Sequence, residues 1–450
     1  MQNQSKTKTM DMTGGSISKL LIAFAIPLLM GNLFQQLYNT VDSLVVGNFV
    51  GKEALAAVGS TTPIINTLVM FFGGVAVGAS VIISRYFGAH DDEKLHTAIE
   101  TTMALTFVSS ILCTVLGIYI APALLRFMDT PEDVLPEAAT YLKIYFAGVS
   151  GLLIYNMTSG ILRAVGDTKR PLYFLILSSI MNIVLDLIFV IYFHMGIAGV
   201  AYATIISQFV SSILVLTILT RSTENYRFVW KDLCFNKMML SQICKVGFPV
   251  GLQQAVTSFS NVYVQSYINS FGSSCMAGWS SYVKIDSFLM LPLQSMSQAS
   301  TTFASQNIGA KNVKRVKDGT KTALLLSSAV IFVLAAILWI FAPQMTALFN
   351  QDPEVIYYGT LFLRLCVFAV VLCCPNQIYA GTLRGAGDAK NPMYIMLFSF
   401  VVFRQIYLYL VNRFAYSPYT IGFGYPAGWL LCTILMTVCY RFSGWEKKIE

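Results

Sequence analysis

Long apolar stretches broken by short charged segments recur about twelve times along the chain, centred near residues 28, 70, 108, 150, 181, 209, 255, 290, 330, 368, 402 and 431. A helix needs about 20 largely apolar residues to cross a bilayer. Lipid offers no partner to exposed backbone groups, so apolar stretches of this length read as helices rather than strands. The pattern predicts an all-α integral membrane protein with twelve transmembrane helices. The first stretch follows Lys6, Lys8 and Lys19, as the core of a secretory signal would. It is long, contains Pro27, carries Asn and Gln, and lacks a small-residue cleavage site, so it reads as a spanning helix.

The pattern is also duplicated. Gly160 to Tyr173 (GILRAVGDTKRPLY) returns 221 residues later as Gly381 to Tyr394 (GTLRGAGDAKNPMY), with eight of 14 positions identical. Phe24-Ala25-Ile26-Pro27 resembles Val246-Gly247-Phe248-Pro249. Phe87-Gly88-Ala89 echoes Asn307-Ile308-Gly309-Ala310, and Phe127 to Glu132 (FMDTPE) matches Phe349 to Glu354 (FNQDPE). Self-similarity at nearly half the chain length marks two copies of one unit. Six helices per copy is an even number, so both copies enter the membrane in the same sense. The expected architecture is two six-helix lobes related by a parallel internal repeat, an arrangement typical of secondary transporters. The divisions are a cytoplasmic N-tail at 1–14, an N-terminal lobe at 15–221, a cytoplasmic linker at 222–240, a C-terminal lobe at 241–442 and a cytoplasmic C-tail at 443–450.

Composition agrees, with 56% hydrophobic and 12% charged residues, against the roughly 25% charged of a soluble domain. The net charge of +8 raises the question of nucleic acid. However, 23 of the 30 Lys and Arg fall in the tails and alternate loops, while the opposite loops carry Asp129, Glu132, Asp133, Asp352 and Glu354. This is the positive-inside bias, which places both termini in the cytoplasm of a multi-pass cell-membrane protein and excludes a nucleic-acid partner. Nine Cys and three His show no ligand spacing, so no structural metal is expected. The repeated RxxGDxKxP loop has no Walker-type partner sequence and is read as a turn, its Arg and Asp paired locally. No resident cofactor is called for. The remaining partners are the lipid bilayer and small organic substrates, and nothing calls for an obligate protein partner, so a monomer is expected.

Ionisable groups within a bilayer are costly and mark function. Gln35, Asn39 and Asp42 lie at i, i+4 and i+7 on one face of the first helix. Asp186 interrupts the apolar run from Leu172 to Phe193, with Asn182 one turn earlier, at a depth similar to that of Asp42. Two neighbouring carboxylates in low dielectric suit uptake of a proton or of Na⁺. In the second half, Val264 and Tyr407 stand where Asp42 and Asp186 stand in the first. Lys284 and Asp286 lie in the eighth helix and Arg404 in the eleventh, near mid-membrane, so an Asp286–Arg404 ion pair is within geometric reach.

The duplicated LRxxGDxKxP loop, the Pro in helices one and seven, and the IGA motif before a basic loop together resemble the multidrug and toxic compound extrusion (MATE) family. The closest similarity is to its bacterial branch with acidic residues in the N-terminal lobe. The resemblance covers essentially the whole chain. It implies that Asp42, Asn182 and Asp186 take part in H⁺ or Na⁺ coupling, and that Thr204 of helix six lines the same site. Gln35, Tyr38, Asn39 and Asn156 in one lobe, and Gln253, Gln254, Asp286, Met290 and Arg404 in the other, are candidates for substrate contact. Acidic groups with aromatic and Met walls suit amphipathic, often cationic organic compounds. The expected function is secondary-active multidrug efflux by alternating access, and not an enzyme activity. The alternative is a flippase for lipid-linked oligosaccharide or another amphiphile. A cavity rich in Arg and Lys would favour that alternative, and only Lys284 and Arg404 answer to it.

Overall fold

The computed structural model describes residues 9–50, 52–128, 130–132 and 134–448, without side-chain placement for 42–44, 47, 48, 52, 53, 55, 56, 127, 259, 262, 447 and 448. The side chain of Asp42, and Asp129 and Asp133 altogether, therefore lie outside the described residues. Sixteen α-helices occur in order, with no strand among the described residues. The first half holds α1 (Ile17–Val45), α2 (Lys52–Gly88), α3 (Asp92–Phe127), α4 (Leu135–Ala164), α5 (Lys169–Leu187) and α6 (Gly196–Arg221). Next come α7 (Lys237–Asn269), α8 (Ser273–Gly309), α9 (Val313–Ile340) and the short α10 (Ala342–Ala347). The chain ends with α11 (Pro353–Cys366), α12 (Cys373–Gly385), α13 (Lys390–Leu397), α14 (Arg404–Phe414), α15 (Pro418–Gly422) and α16 (Gly424–Phe442).

Among the described residues, ten stretches are long and apolar enough to cross a membrane, with α11–α12, α13–α14 and α15–α16 each forming one of them. The helices α7 and α8 are as long, at 33 and 37 residues, but carry more Ser and Gln side chains. Counting them gives the twelve spanning helices expected.

The chain packs as two compact units. Unit 1 comprises 1–11 and 30–247, and unit 2 comprises 12–29 and 248–450. Each unit thus includes the opening turns of the helix that begins the other half. In unit 1, α4 packs against α2, α3 and α6. In unit 2, α8 packs against α9, α11 and α12, and α12 against α16. The contact that holds the start of α7 in unit 1 is built on glycine. A Cβ at Gly78 would lie 2.5 Å from the Gly247 backbone nitrogen, so two helix backbones approach as closely as only small residues allow.

The duplicated motif folds the same way twice. Gly166 and Gly387 have φ of 86° and 85°, the left-handed region where glycine carries no Cβ penalty. The Gly166 and Asp167 N–H groups donate to Arg163 O and Leu162 O, and Gly387 and Asp388 donate to Arg384 O and Leu383 O. This is a Schellman closure of α4 and of α12. The Asp then starts the next helix: Asp167 Oδ1 accepts from Arg170 N–H, and Asp388 Oδ1 from Asn391 N–H. The expected pairing of the motif Arg with the motif Asp is not formed. Asp167 pairs forward with Arg170 at 3.2 Å, while Arg384 turns inward to Gln253. The turn is already closed by backbone bonds, which leaves the Arg free for the interior.

The segment at 222–240 is packed rather than free. Val229 N–H donates to the buried Glu100 Oε1, Asn225 to Asp92, and Trp230 stacks on Phe107. The C-tail is held similarly on α9 by Lys317–Glu446 at 2.6 Å and by the buried Trp445.

Candidate functional site

Unit 1 buries a polar group where an apolar helix would be cheaper. Asn182 and Asp186, one turn apart on α5, are 2% and 0% exposed, and Thr204 on the adjoining α6 is 6% exposed. The Thr204 hydroxyl donates to Val200 O at 2.9 Å, its own helix's carbonyl four residues back. The Asn182 amide has no hydrogen-bond partner among the described residues. A buried amide in that condition is ready to accept a ligand or ion.

The backbone around this group departs from α-geometry. A π turn, Ile188–Tyr192, begins two residues after Asp186, and another, Val46–Val50, follows α1 one turn after Asp42. The two π turns touch each other, and Val45 and Val46 pack with Val190, Ile197, Val200 and Ala201 in one cluster. The π turn that follows Asp42 is thereby set alongside the one that follows Asp186. π turns within helices concentrate at functional sites because they re-aim side chains.

The other N-terminal candidates spread along α1 and α4. Gln35 and Asn39 are exposed and Tyr38 is half-buried on α1. Asn156 on α4 returns its amide to Leu152 O.

In unit 2 the positions equivalent to the two acids are filled differently. Val264 is buried at 1% exposure, and the Tyr407 hydroxyl donates to Thr420 O at 2.9 Å. The proposed Asp286–Arg404 ion pair is not formed. Arg404, 4% exposed, donates through Nη2 to Ser260 Oγ and Asn261 Oδ1, each at 2.9 Å. Its guanidinium also lies 4.8 Å from the centre of the Tyr425 ring. Two oxygens and an aromatic face meet this planar, weakly hydrated cation in place of a carboxylate, while its buried Nε has no partner among the described residues. Asp286 is half-buried on α8, one turn from Tyr282.

Around that point the sequence reading missed an aromatic cluster. The Trp279 ring sits 4.9 Å from Phe362, 5.0 Å from Tyr282 and 5.4 Å from Tyr425. The close spacing of Trp279 and Tyr282 on α8 was the available signal, but 13% aromatic content hides it. Gln253 is committed to Arg384 and Met396, whereas Gln254 and Met290 are half-buried.

An apolar, duplicated, twelve-helix protein with one lobe carrying a buried acid beside an unbonded amide belongs to the class of polytopic membrane transporters. The MatE family model matches residues 27–188 and again 249–410. The two matches begin at Pro27 and Pro249, which restates the repeat. The chain is 30% identical over 439 residues to the probable multidrug resistance protein YpnP of Bacillus subtilis, covering 98% of each. It is also similar to the crystal structures of MATE in the bent and straight conformations. Their TM-scores are 0.93 and 0.91, each at 25% identity, covering 99% and 98% of this chain and 100% and 99% of the others. The chain belongs to the MatE family, the multidrug and toxic compound extrusion transporters.

Proposed function

We propose that the protein exports amphipathic, often cationic organic compounds across the cell membrane by alternating access. Export is coupled to inward H⁺ or Na⁺, and the basic loops and both termini lie in the cytoplasm. The observation that carries this reading is the buried Asn182–Asp186 pair beside two touching π turns. An acid in that setting can exist as a carboxylate balanced by a cation or as a neutral acid. The two forms favour different local packing. Binding of H⁺ or Na⁺ then shifts the population of states by as much as the ion's affinity differs between them. Asp42, on the adjoining turn of α1, would be the second carboxylate, with Thr204 supplying a hydroxyl. Substrate would be taken up by the polar and aromatic candidates in the two units.

The test is dye efflux from proteoliposomes under an imposed pH gradient and, separately, a Na⁺ gradient. Asp186→Asn should reduce gradient-driven efflux at least tenfold while expression and melting temperature stay near wild type. Undiminished efflux in Asp186→Asn and in Asp42→Asn would overturn the coupling reading. Transport under neither gradient by the wild-type protein would overturn antiport itself.

A further inference from the structure

Lys284 is the one charge of the Lys284, Asp286 and Arg404 set that the site described above does not use. It stands two residues from Asp286 on α8, hence on a different face of that helix. It is exposed and forms an ion pair with no carboxylate among the described residues. Its ammonium lies instead 5.5 Å from the centre of the Phe349 ring, in the connection between the spans 313–340 and 353–385, so it sits toward a membrane face rather than near mid-membrane as the residue count suggests.

Phe349 is at the same time one wall of a groove of about 360 Å³, a volume within the range of small-ligand pockets. Ile285 and Leu289 of α8, Leu334 and Leu338 of α9, and Leu348 face the same groove, and all of its lining residues are apolar. An apolar trough with the Lys284 ammonium at its rim has the shape and polarity of an amphiphile with an anionic head. A Lys at the lipid face lays its methylenes along apolar surface and directs the ammonium to the nearest polar layer. Left without a counter-charge there, it is costly. A lipid phosphate removes that cost, provided the headgroup does not offset it with an ammonium of its own.

We propose that this groove is a binding site for an anionic phospholipid, one acyl chain lying between α8 and α9 and the phosphate paired with Lys284. The cation–π contact holds the ammonium at the groove mouth when the lipid is absent. The site is separate from the buried pair of unit 1, and it does not depend on which ion drives transport.

Native mass spectrometry of the full-length protein tests it, using phosphatidylglycerol and phosphatidylcholine of identical chains. The wild type should retain phosphatidylglycerol roughly fivefold over phosphatidylcholine, the factor one Lys contributes near an anionic surface. Lys284→Gln should bring that ratio close to one, and Lys284→Arg should keep it. Leu334→Trp, which fills the groove, should lower retention of both lipids. Melting temperatures within a few degrees of wild type establish that the variants are folded. A wild type without headgroup preference, or a preference intact in folded Lys284→Gln, would overturn the proposal. So would variants that shift dye-transport KM while leaving lipid retention unchanged, because the groove would then take substrate.

Discussion

Arg384 donates from Nη2 to Gln253 Oε1 across 2.9 Å, and the amide of the same Gln253 donates to Met396 Sδ at 2.9 Å. One glutamine of α7 thus ties the last turn of α12 to α13 within unit 2. Gln253 and Arg384 are each 8% exposed, so the bond is shielded from water. Hydrogen bonds to a charged group contribute about 1.5–3 kcal/mol, and the buried guanidinium left behind adds its own desolvation. Gln253→Ala should therefore lower stability by about 2–3 kcal/mol, read as a fall in melting temperature in detergent. Gln253→Glu should retain most of the stability. A Gln253→Ala protein with unchanged melting temperature and a raised KM for dye would place this residue at the substrate instead.

The Gly78–Gly247 approach makes a second prediction. A Cβ at Gly78 meets backbone at 2.5 Å, and one at Gly247 meets Val75 Cα at 2.8 Å, so the α2–α7 spacing must widen in either variant. Overpacking of this kind costs about 1–3 kcal/mol. Gly78→Ala and Gly247→Ala should each lower the melting temperature, whereas Gly14→Ala, with nothing within 4 Å, should not. Equal melting temperatures for all three would mean that the helices are not in backbone contact.

Fold and site were legible in the sequence to different depths. Hydropathy and duplication carry the helix count and the two copies, because both are properties of the chain read locally and against itself. The burial of Asp186 follows from its place in an apolar run, since a helix that must face lipid cannot expose an acid cheaply. Partner choice is another matter. Arg404 is long enough to reach several turns, and its contacts are Ser260, Asn261 and Tyr425 on α7 and α16 rather than the acid on α8. The fixing of 222–240 on α3 rests on partners scattered along that helix, Asp92, Glu100 and Phe107, which the polar composition of the segment conceals. The π turns at 46–50 and 188–192, like a third at 398–403 in the second copy, leave no mark in the apolar pattern at all.

A third prediction concerns Asn307 and Gln306 at the end of α8. Met12 N–H donates to Gln306 Oε1 at 2.8 Å, and Asn307 Nδ2 donates to Met12 O at 3.1 Å. Arg315 adds bonds to Gly14 O and Gly15 O at 2.7 and 2.9 Å. The clasp holds the segment that enters α1 by its backbone, and the Met12 side chain is itself fully buried. Removing one such bond costs about 1 kcal/mol. Asn307→Ala should raise hydrogen exchange at residues 12–15 several-fold with little change across α9. Protection equal to wild type would show that the tail is held by other contacts.

The last prediction follows from where the two copies differ. Tyr407 occupies the position that Asp186 holds in the first copy, and its hydroxyl is spent on Thr420 O at 2.9 Å, joining α14 to α15. Asp186 is instead a fully buried acid one residue short of a π turn. If the second copy is scaffold at this position, Tyr407→Phe removes one hydrogen bond, worth about 1 kcal/mol, and nothing that an ion could use. Its melting temperature should fall by a few degrees, while the ratio of efflux with a gradient to efflux without one stays at the wild-type value. Asp186→Asn should behave in the opposite way, with melting temperature held and that ratio reduced to about one. The pair of measurements separates stability from coupling in a way that neither mutant does alone. Loss of the gradient response in Tyr407→Phe would mean that ion coupling extends into the second copy and that the asymmetry read from the sequence is one of residue type only.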